Sequence, residues 1–350
     1  MDFALSDEQD ALAAAERAWL VKHDPIAARR PSIDDGPARL RPEDLRHLVD
    51  SGLAALLTED MGGTHVDLAV LAEEHGRLGS PLPLAELAIA TGLLEFLEHP
   101  LYENASAGNE LVLPVLASID GDSLAATIED GTLSLSGTSA PVCGLIDVGH
   151  ILVVARCGDG IEVAAVLSVS AVGTRSLDTL DLTRSFSVAD IDITLEADQW
   201  YGLPAGTAEF VHDQLATFRA FDALGAAARL SEESVDYAKS RHQFGKPIAG
   251  FQAIKHHCAN MALSVESARA ALWAAAVALD DKSSERTTAV SAAAAYAGEA
   301  TSTVAQTALQ VHGGIGFTWE HDLHLLLRRI KVDELLDGTV SFHRRRLVRV

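Results

Sequence analysis

Arg241-His-Gln-Phe-Gly-Lys-Pro-Ile248 and Gln310-Val-His-Gly-Gly-Ile-Gly-Phe317 punctuate the carboxyl-terminal half of this 350-residue chain. Each sets glycine, in the first case with proline, between long stretches of helical periodicity, and these residues end helices. Working outward, apolar residues recur at helical spacing over roughly 205–241, 249–280, 285–311 and 320–348. Four such segments joined by short breaks predict an antiparallel four-helix bundle over residues 201–350. The paired glycines Gly313-Gly314 also let the backbone approach a dinucleotide phosphate or ribose where a Cβ would clash. Taken alone, the same run reads as an ordinary interhelical turn.

The first part of the chain is helical as well. Ser6-Asp-Glu-Gln9 has the form of a capping box ahead of an apolar-periodic run to about His23. Pro42-Glu43-Asp44 opens another helix, because proline suits the first turn and acids suit its positive end. Helical patterns follow over Asp67–Leu78 and Pro83–Leu97, so residues 1–105 read as a helical domain. After Asn104 the pattern changes to short β-branched or alternating runs, among them Leu133-Ser-Leu-Ser136, Ile151-Leu-Val-Val-Ala155, Val163-Ala-Ala-Val-Leu167 and Ile191-Asp-Ile-Thr-Leu195. Turn clusters such as Glu129-Asp-Gly131 and Gly158-Asp-Gly160 separate them, which predicts a small antiparallel barrel or sandwich over residues 106–200. The expected fold is mainly α with a central β domain.

A formal charge of −23 and a pI near 4.9 argue against nucleic acid and anionic membranes as partners, since binding phosphates needs clustered cations. Arg328, Arg329, Lys331, Arg344, Arg345 and Arg346 do collect near the carboxyl terminus, as an anion site or as solvated helix faces. Cys143, Cys157 and Cys258 form no CxxC pair, which fits a reducing compartment. The acidic start, Met1 to Asp10, lacks the basic and apolar regions of a secretory signal. The longest strongly apolar runs, such as Ala270–Leu279, fall short of the roughly 20 residues that cross a bilayer. A cytoplasmic location is expected. His256 and His257 point about 100° apart on a helix and have no acidic or Cys cluster beside them, so no metal is expected.

The set Arg241-x-Gln-Phe-Gly-Lys246, Phe251-Gln-Ala-Ile-Lys255 and Gln310 to Phe317 resembles the flavin-binding motifs of the acyl-CoA dehydrogenases. Helices, then strands, then a four-helix bundle is also that family's order. Further likenesses are Thr58-Glu-Asp-Met-Gly-Gly63, Ala72-Glu-Glu-His-Gly-Arg-Leu-Gly-Ser-Pro-Leu-Pro83, Gly131-Thr-Leu-Ser-Leu-Ser-Gly137 and Leu180-Asp-Leu-Thr-Arg-Ser185. The resemblance implies an FAD shared between subunits and held by Arg241, Phe244, Gln252, Gln310, Gly313, Gly314 and Thr339. One departure stands out. The family's Thr-Glu-Pro-x-Ala-Gly-Ser-Asp loop, which holds the flavin ring and the thioester, falls at Leu113–Ser123, which reads Leu-Pro-Val-Leu-Ala-Ser-Ile-Asp-Gly-Asp-Ser.

In that family a carboxylate takes the α proton of a CoA thioester while the β hydrogen leaves as hydride to the flavin. The base is usually a Glu in Tyr-Glu-Gly-Thr, after Arg-x-x-Lys. Here Arg328-Arg-Ile-Lys331 leads to Leu336-Asp-Gly-Thr339, so Asp337 takes the base position with one methylene fewer. A misplacement of about 1 Å can cost roughly a hundredfold in rate; read without the resemblance, Asp337 is an Asp-Gly turn residue. The family's second base location falls at Leu215, which has no proton chemistry. Asp222, farther along the same helix, reads as an ion-pair partner of Arg219 or Arg229, and His312 as a packing residue at a subunit contact. Ser341 stands where the family has a Gln.

The resemblance also implies an acyl-CoA substrate, an electron-transfer flavoprotein as acceptor, and a homo- or heterotetramer with a related subunit. The altered loop and shortened base are similar to bacterial members built from two unlike subunits, several of which act on steroid-derived CoA thioesters. Three readings follow: an FAD-dependent dehydrogenase subunit in acyl degradation, a non-catalytic partner that completes the FAD site, and a flavin oxidase or monooxygenase on the same fold.

Overall fold

Local chemistry starts the first helix. Ser6 Oγ accepts the backbone N–H of Gln9 while the Gln9 side chain accepts that of Ser6, satisfying two donors that a helix start leaves orphaned. The structure is a computed structural model that describes residues 5–117 and 124–348. Helix α1 (Asp7–His23) is followed by α2 (Ile26–Ile33), α3 (Pro42–Ser51), α4 (His65–Leu78), α5 (Leu84–Phe96) and α6 (Tyr102–Ser106). The expected helices at Pro42, Asp67 and Pro83 are present. Sequence periodicity missed α2 and α6, which have only 8 and 5 residues, and α2 carries Pro31 inside it.

Among the described residues nine strands follow: β1 (Val112–Val115), β2 (Leu124–Glu129), β3 (Thr132–Thr138), β4 (Val142–Cys143), β5 (His150–Arg156), β6 (Glu162–Ser168), β7 (Gly173–Leu177), β8 (Phe186–Leu195) and β9 (Tyr201–Leu203). They form one sheet in the order β1-β5-β6-β9 and another in the order β2-β3-β8-β4, with β7 also on β8. Leu113, Val115, Ile151 and Val153 of the first sheet share a core with Leu133, Leu135, Ala189 and Ile191 of the second, which makes a sandwich. The antiparallel expectation needs one correction, since β1 runs parallel to β5.

The carboxyl-terminal part is built on α7 (Thr207–Ser240), a 34-residue helix. A short hairpin, β10 (His242–Gln243) and β11 (Lys246–Pro247), leads to α8 (Gln252–Asp280), α9 (Arg286–His312), α10 (Leu323–Asp333) and α11 (Val340–Val348). The expected fourth helix, 320–348, is therefore two. Asp337 and Gly338 break it, with φ of 55° and 117°, values that the right-handed helix cannot contain. Helix α7 packs against α4, α8, α9 and α10. It meets α4 backbone to backbone: a Cβ on Gly76 would lie 1.9 Å from the Asp222 carbonyl oxygen, and one on Gly225 would lie 1.8 Å from that of Glu73.

Helix α8 corrects the expectation about apolar runs. It has 29 residues and is apolar enough, by length and composition, to cross a bilayer. In this fold one of its faces is buried in the bundle through Met261, Val265, Ala268, Leu272, Ala275, Ala276 and Leu279, and its other face leaves Leu263 exposed.

Candidate functional site

Asp337 faces Arg219 of α7 across a cleft that opens between the β sandwich and the bundle. Arg219 Nε donates to Asp337 Oδ2 at 3.1 Å, and its Nη2 lies 3.0 Å from Glu86 Oε1 on α5. Glu86 is the lone charge in the apolar run Leu84-Ala-Glu-Leu-Ala-Ile89. Burial alone would weaken the Arg219 charge, but Glu86 and then Asp337 outweigh it and hold the guanidinium firmly protonated. The cleft, about 210 Å³, is lined by Pro114, Leu116 and Ala117 from the end of β1, by Ala140 to Cys143, and by His212, Leu215 and Leu335 to Asp337. Burial, with Glu86 nearby, pushes the Cys143 thiol up to about 12, so it stays neutral.

Behind the cleft lies a buried ion network. Arg329 of α10 donates to both Asp222 oxygens at 2.6 and 2.5 Å, to Thr183 Oγ1 at 2.8 Å and to the Ser80 carbonyl at 2.9 Å. Arg184 donates to Asp181 at 2.7 Å and to Asp333 at 2.6 Å. Asp222 is thus an ion-pair residue as expected, but its partner is Arg329, with Arg184 beside it at 3.7 Å, and neither Arg219 nor Arg229. Arg229 instead pairs with Glu233 one turn along α7. The Leu180 to Ser185 motif has a mechanical role here, since Asp181, Thr183 and Arg184 fasten the β domain to the helix that precedes Asp337. Asp333, buried beside Asp222, has its carboxyl pushed up by burial.

Four of the six carboxyl-terminal cations are paired with acids of the same chain. Arg329 holds Asp222, Lys331 pairs with Glu334, Arg344 with Glu299, and Arg346 with Glu209 and Asp213. Thr339 also has a local task, its hydroxyl accepting the Phe342 N–H at 3.2 Å at the start of α11. Residues 118–123 of the departing loop lie outside the described residues.

The other predicted residues gather at the far end of α7. Arg241 caps that helix, and Phe244 sits at the tip of the β10–β11 hairpin with φ 53° and 90% of its surface exposed. Phe251, just before Gln252, packs edge-on to Phe244 at 6.1 Å and under Lys246 at 4.4 Å. His312 is buried within its own chain, stacked on Tyr237 at 4.6 Å, a correction to its expected place at a subunit contact. That stack sets the last turn of α9, with exposed Gln310, beside the last turn of α7. Gly313 and Gly314 follow with nothing within 4 Å of where their Cβ atoms would be, and Phe317 is 74% exposed.

This end fits an anionic dinucleotide. Arg241 and Lys246 form no ion pair among the described residues, the glycine turn is open to close approach, and exposed aromatic rings offer stacking faces. Asp337 belongs to a different place. Arg219 and Arg241 are 22 residues apart on α7 and its cap, roughly 33 Å along the axis. The fold brings the flavin-motif residues together and Asp337 to its cleft, but one chain does not join the two sets.

Residues 211–350 match the family described as acyl-CoA dehydrogenase, C-terminal domain. Acyl-CoA dehydrogenase IpdE2 of Mycolicibacterium smegmatis is 31% identical over 98% of this chain and 98% of its own length. Acyl-CoA dehydrogenase FadE34 of Mycobacterium tuberculosis is 33% identical over 93% of this chain, which spans only 45% of that relative. Among solved structures, the ChsE4-ChsE5 complex of M. tuberculosis superposes with a TM-score of 0.90 at 22% identity, covering 100% of this chain and 98% of the matched one, which bears on the fold. With near full-length similarity to IpdE2 added to the three-part fold and the two motif clusters, this chain belongs to the acyl-CoA dehydrogenase family.

Proposed function

We propose that this chain is one of two unlike subunits of an FAD-dependent acyl-CoA dehydrogenase, completing the flavin site of the pair while the other subunit supplies the base. The observation that carries this reading is the Arg219–Asp337 ion pair. A general base must have a lone pair free to reach the α carbon, and Asp337, already a methylene short, has one oxygen committed to Arg219. The cleft also sets two acidic side chains, Glu86 and Asp337, around one guanidinium. That opposes the enolate character that develops as the α proton leaves.

FAD bound in the assembly would accept the β hydrogen as hydride. Toward it this chain contributes the Arg241 and Lys246 charges, the exposed Phe244 and the open Gly313-Gly314 turn, with Gln252 and Gln310 beside them. A paired arrangement is favoured by the roughly 33 Å between these residues and Asp337. It is also favoured by a structural neighbour that is a complex of two chains, and by a relative more than half of whose length lies beyond the part matched here. The substrate class is a CoA thioester and the acceptor an electron-transfer flavoprotein, both following from the family.

The test is to express the chain alone and together with a second acyl-CoA dehydrogenase subunit from the same source, and to measure FAD per chain and assembly mass. We expect flavin to be retained only in the mixed assembly, with one FAD per pair. One FAD per chain in a homo-oligomer that turns over a CoA thioester would overturn the reading.

A further inference from the structure

We propose that Arg219, braced between Glu86 and Asp337, is a plug that shuts the inner end of this chain's acyl cleft and makes it refuse a medium-length acyl chain. This specificity role rests on the half-site reading above. Two cavities meet at the plug. The outer is the cleft of about 210 Å³, and the inner, about 30 Å³, lies between α4, α5 and α7 against Ala72, Phe218 and Asp222. The residues lining both are Glu86, Cys143, Leu215 and Arg219, so these form the wall between them. An inner space of that size holds about one water.

Two of the wall residues are compact and neutral, while the other two are a buried ion pair whose cation is also tied to Asp337. An acyl chain entering past the thioester position would have to push the guanidinium off two carboxylates and leave Glu86 charged, unpaired and only 8% exposed. Stranding a buried charge offsets the gain from roughly four to six buried methylenes, each of which improves affinity only about fourfold. The guanidinium has little room to swing aside. Leu215 and Phe218 flank it on α7, and behind them the Arg329–Asp222 clamp holds α7 to α10.

The assembled flavoprotein is titrated calorimetrically with S-octyl-CoA, a thioether that lacks a carbonyl and cannot be desaturated. The wild type is compared with an assembly carrying Glu86→Leu and Arg219→Leu in this chain. Removing both charges together avoids stranding either, and Asp337, whose side chain is 16% exposed, can hydrate. We expect the variant to bind one more S-octyl-CoA per pair of chains than the wild type, at unchanged mass and flavin content. No gain in a variant of native mass and flavin content overturns the plug. So does a wild-type assembly that already saturates at one S-octyl-CoA per chain, a result that needs no variant. The flavin count decides the half-site reading and the ligand count decides the plug, so either can fail without the other.

Discussion

Arg219 holds two carboxylates that sequence alone could not assign to it. The place of Asp337 is legible, because the spacing after Arg328-Arg-Ile-Lys331 fixes it in the resemblance. Its partner is 118 residues away, and periodicity carries no information about which helices meet. The available signal was Glu86, one acid in an apolar helical run, which must find a cation if it is buried. Arg219→Ala, which strands Glu86, is expected to destabilise the chain by about 3–5 kcal/mol, read from denaturant midpoints. Glu86→Leu with Arg219→Leu is expected to cost far less. A single-variant loss no larger than that of the double variant would mean that the triad is solvated and not dry.

Elements were the most readable level. The capping box at Ser6, the proline start at Pro42 and the long periods of α7, α8 and α9 all have local causes, so sequence predicts them closely. What escaped was non-local or too short: the parallel β1–β5 pairing, and α2 and α6. The break at Asp337-Gly338 was readable as a turn but was overridden by the apolar period on either side. The α4–α7 crossing was also invisible, since a lone glycine inside a helix looks only like a weak helix former. Gly76→Ala and Gly225→Ala are each expected to destabilise by roughly 3 kcal/mol, because a methyl group there meets backbone that cannot rotate away. Thermal denaturation checks this, and an alanine tolerated at either site would show that the helices can part.

At the scale of the whole molecule, buried titrating groups set how stability responds to pH. Burial alone would raise the Glu16 carboxyl, but His47 at 2.9 Å and His75 at 2.8 Å outweigh it and hold it at about 2. Asp213, opposed by burial in the same way, is held at about 2 by His212, Arg346 and Arg286. Both folded values lie below the ordinary 4.5 and 3.8, so their stabilisation is complete above those values and is lost as pH falls toward 2. His343 is lowered to about 4 by burial, then by the charges of His212 and Arg346. Because only the unfolded chain takes up that proton between pH 6.5 and 4, His343 also makes the fold weaker on acidification. The raised Asp333 carboxyl opposes His343 over that window, so Tm is expected to fall steeply only below about pH 4.5, where the Glu16 and Asp213 contributions are lost. Glu16→Gln should lower Tm at pH 7 and flatten its decline between about pH 4.5 and 2; an unchanged slope would remove Glu16 from the account.

The distance between the two ends of α7 has a consequence for descent. In the proposed pairing each end serves a different chain, so a substitution that spoils the cleft leaves the flavin-side hairpin in service, and selection can relax on one while it still guards the other. A duplicated gene of this fold can therefore lose its chemistry one residue at a time without being lost itself, provided that its sister keeps the base.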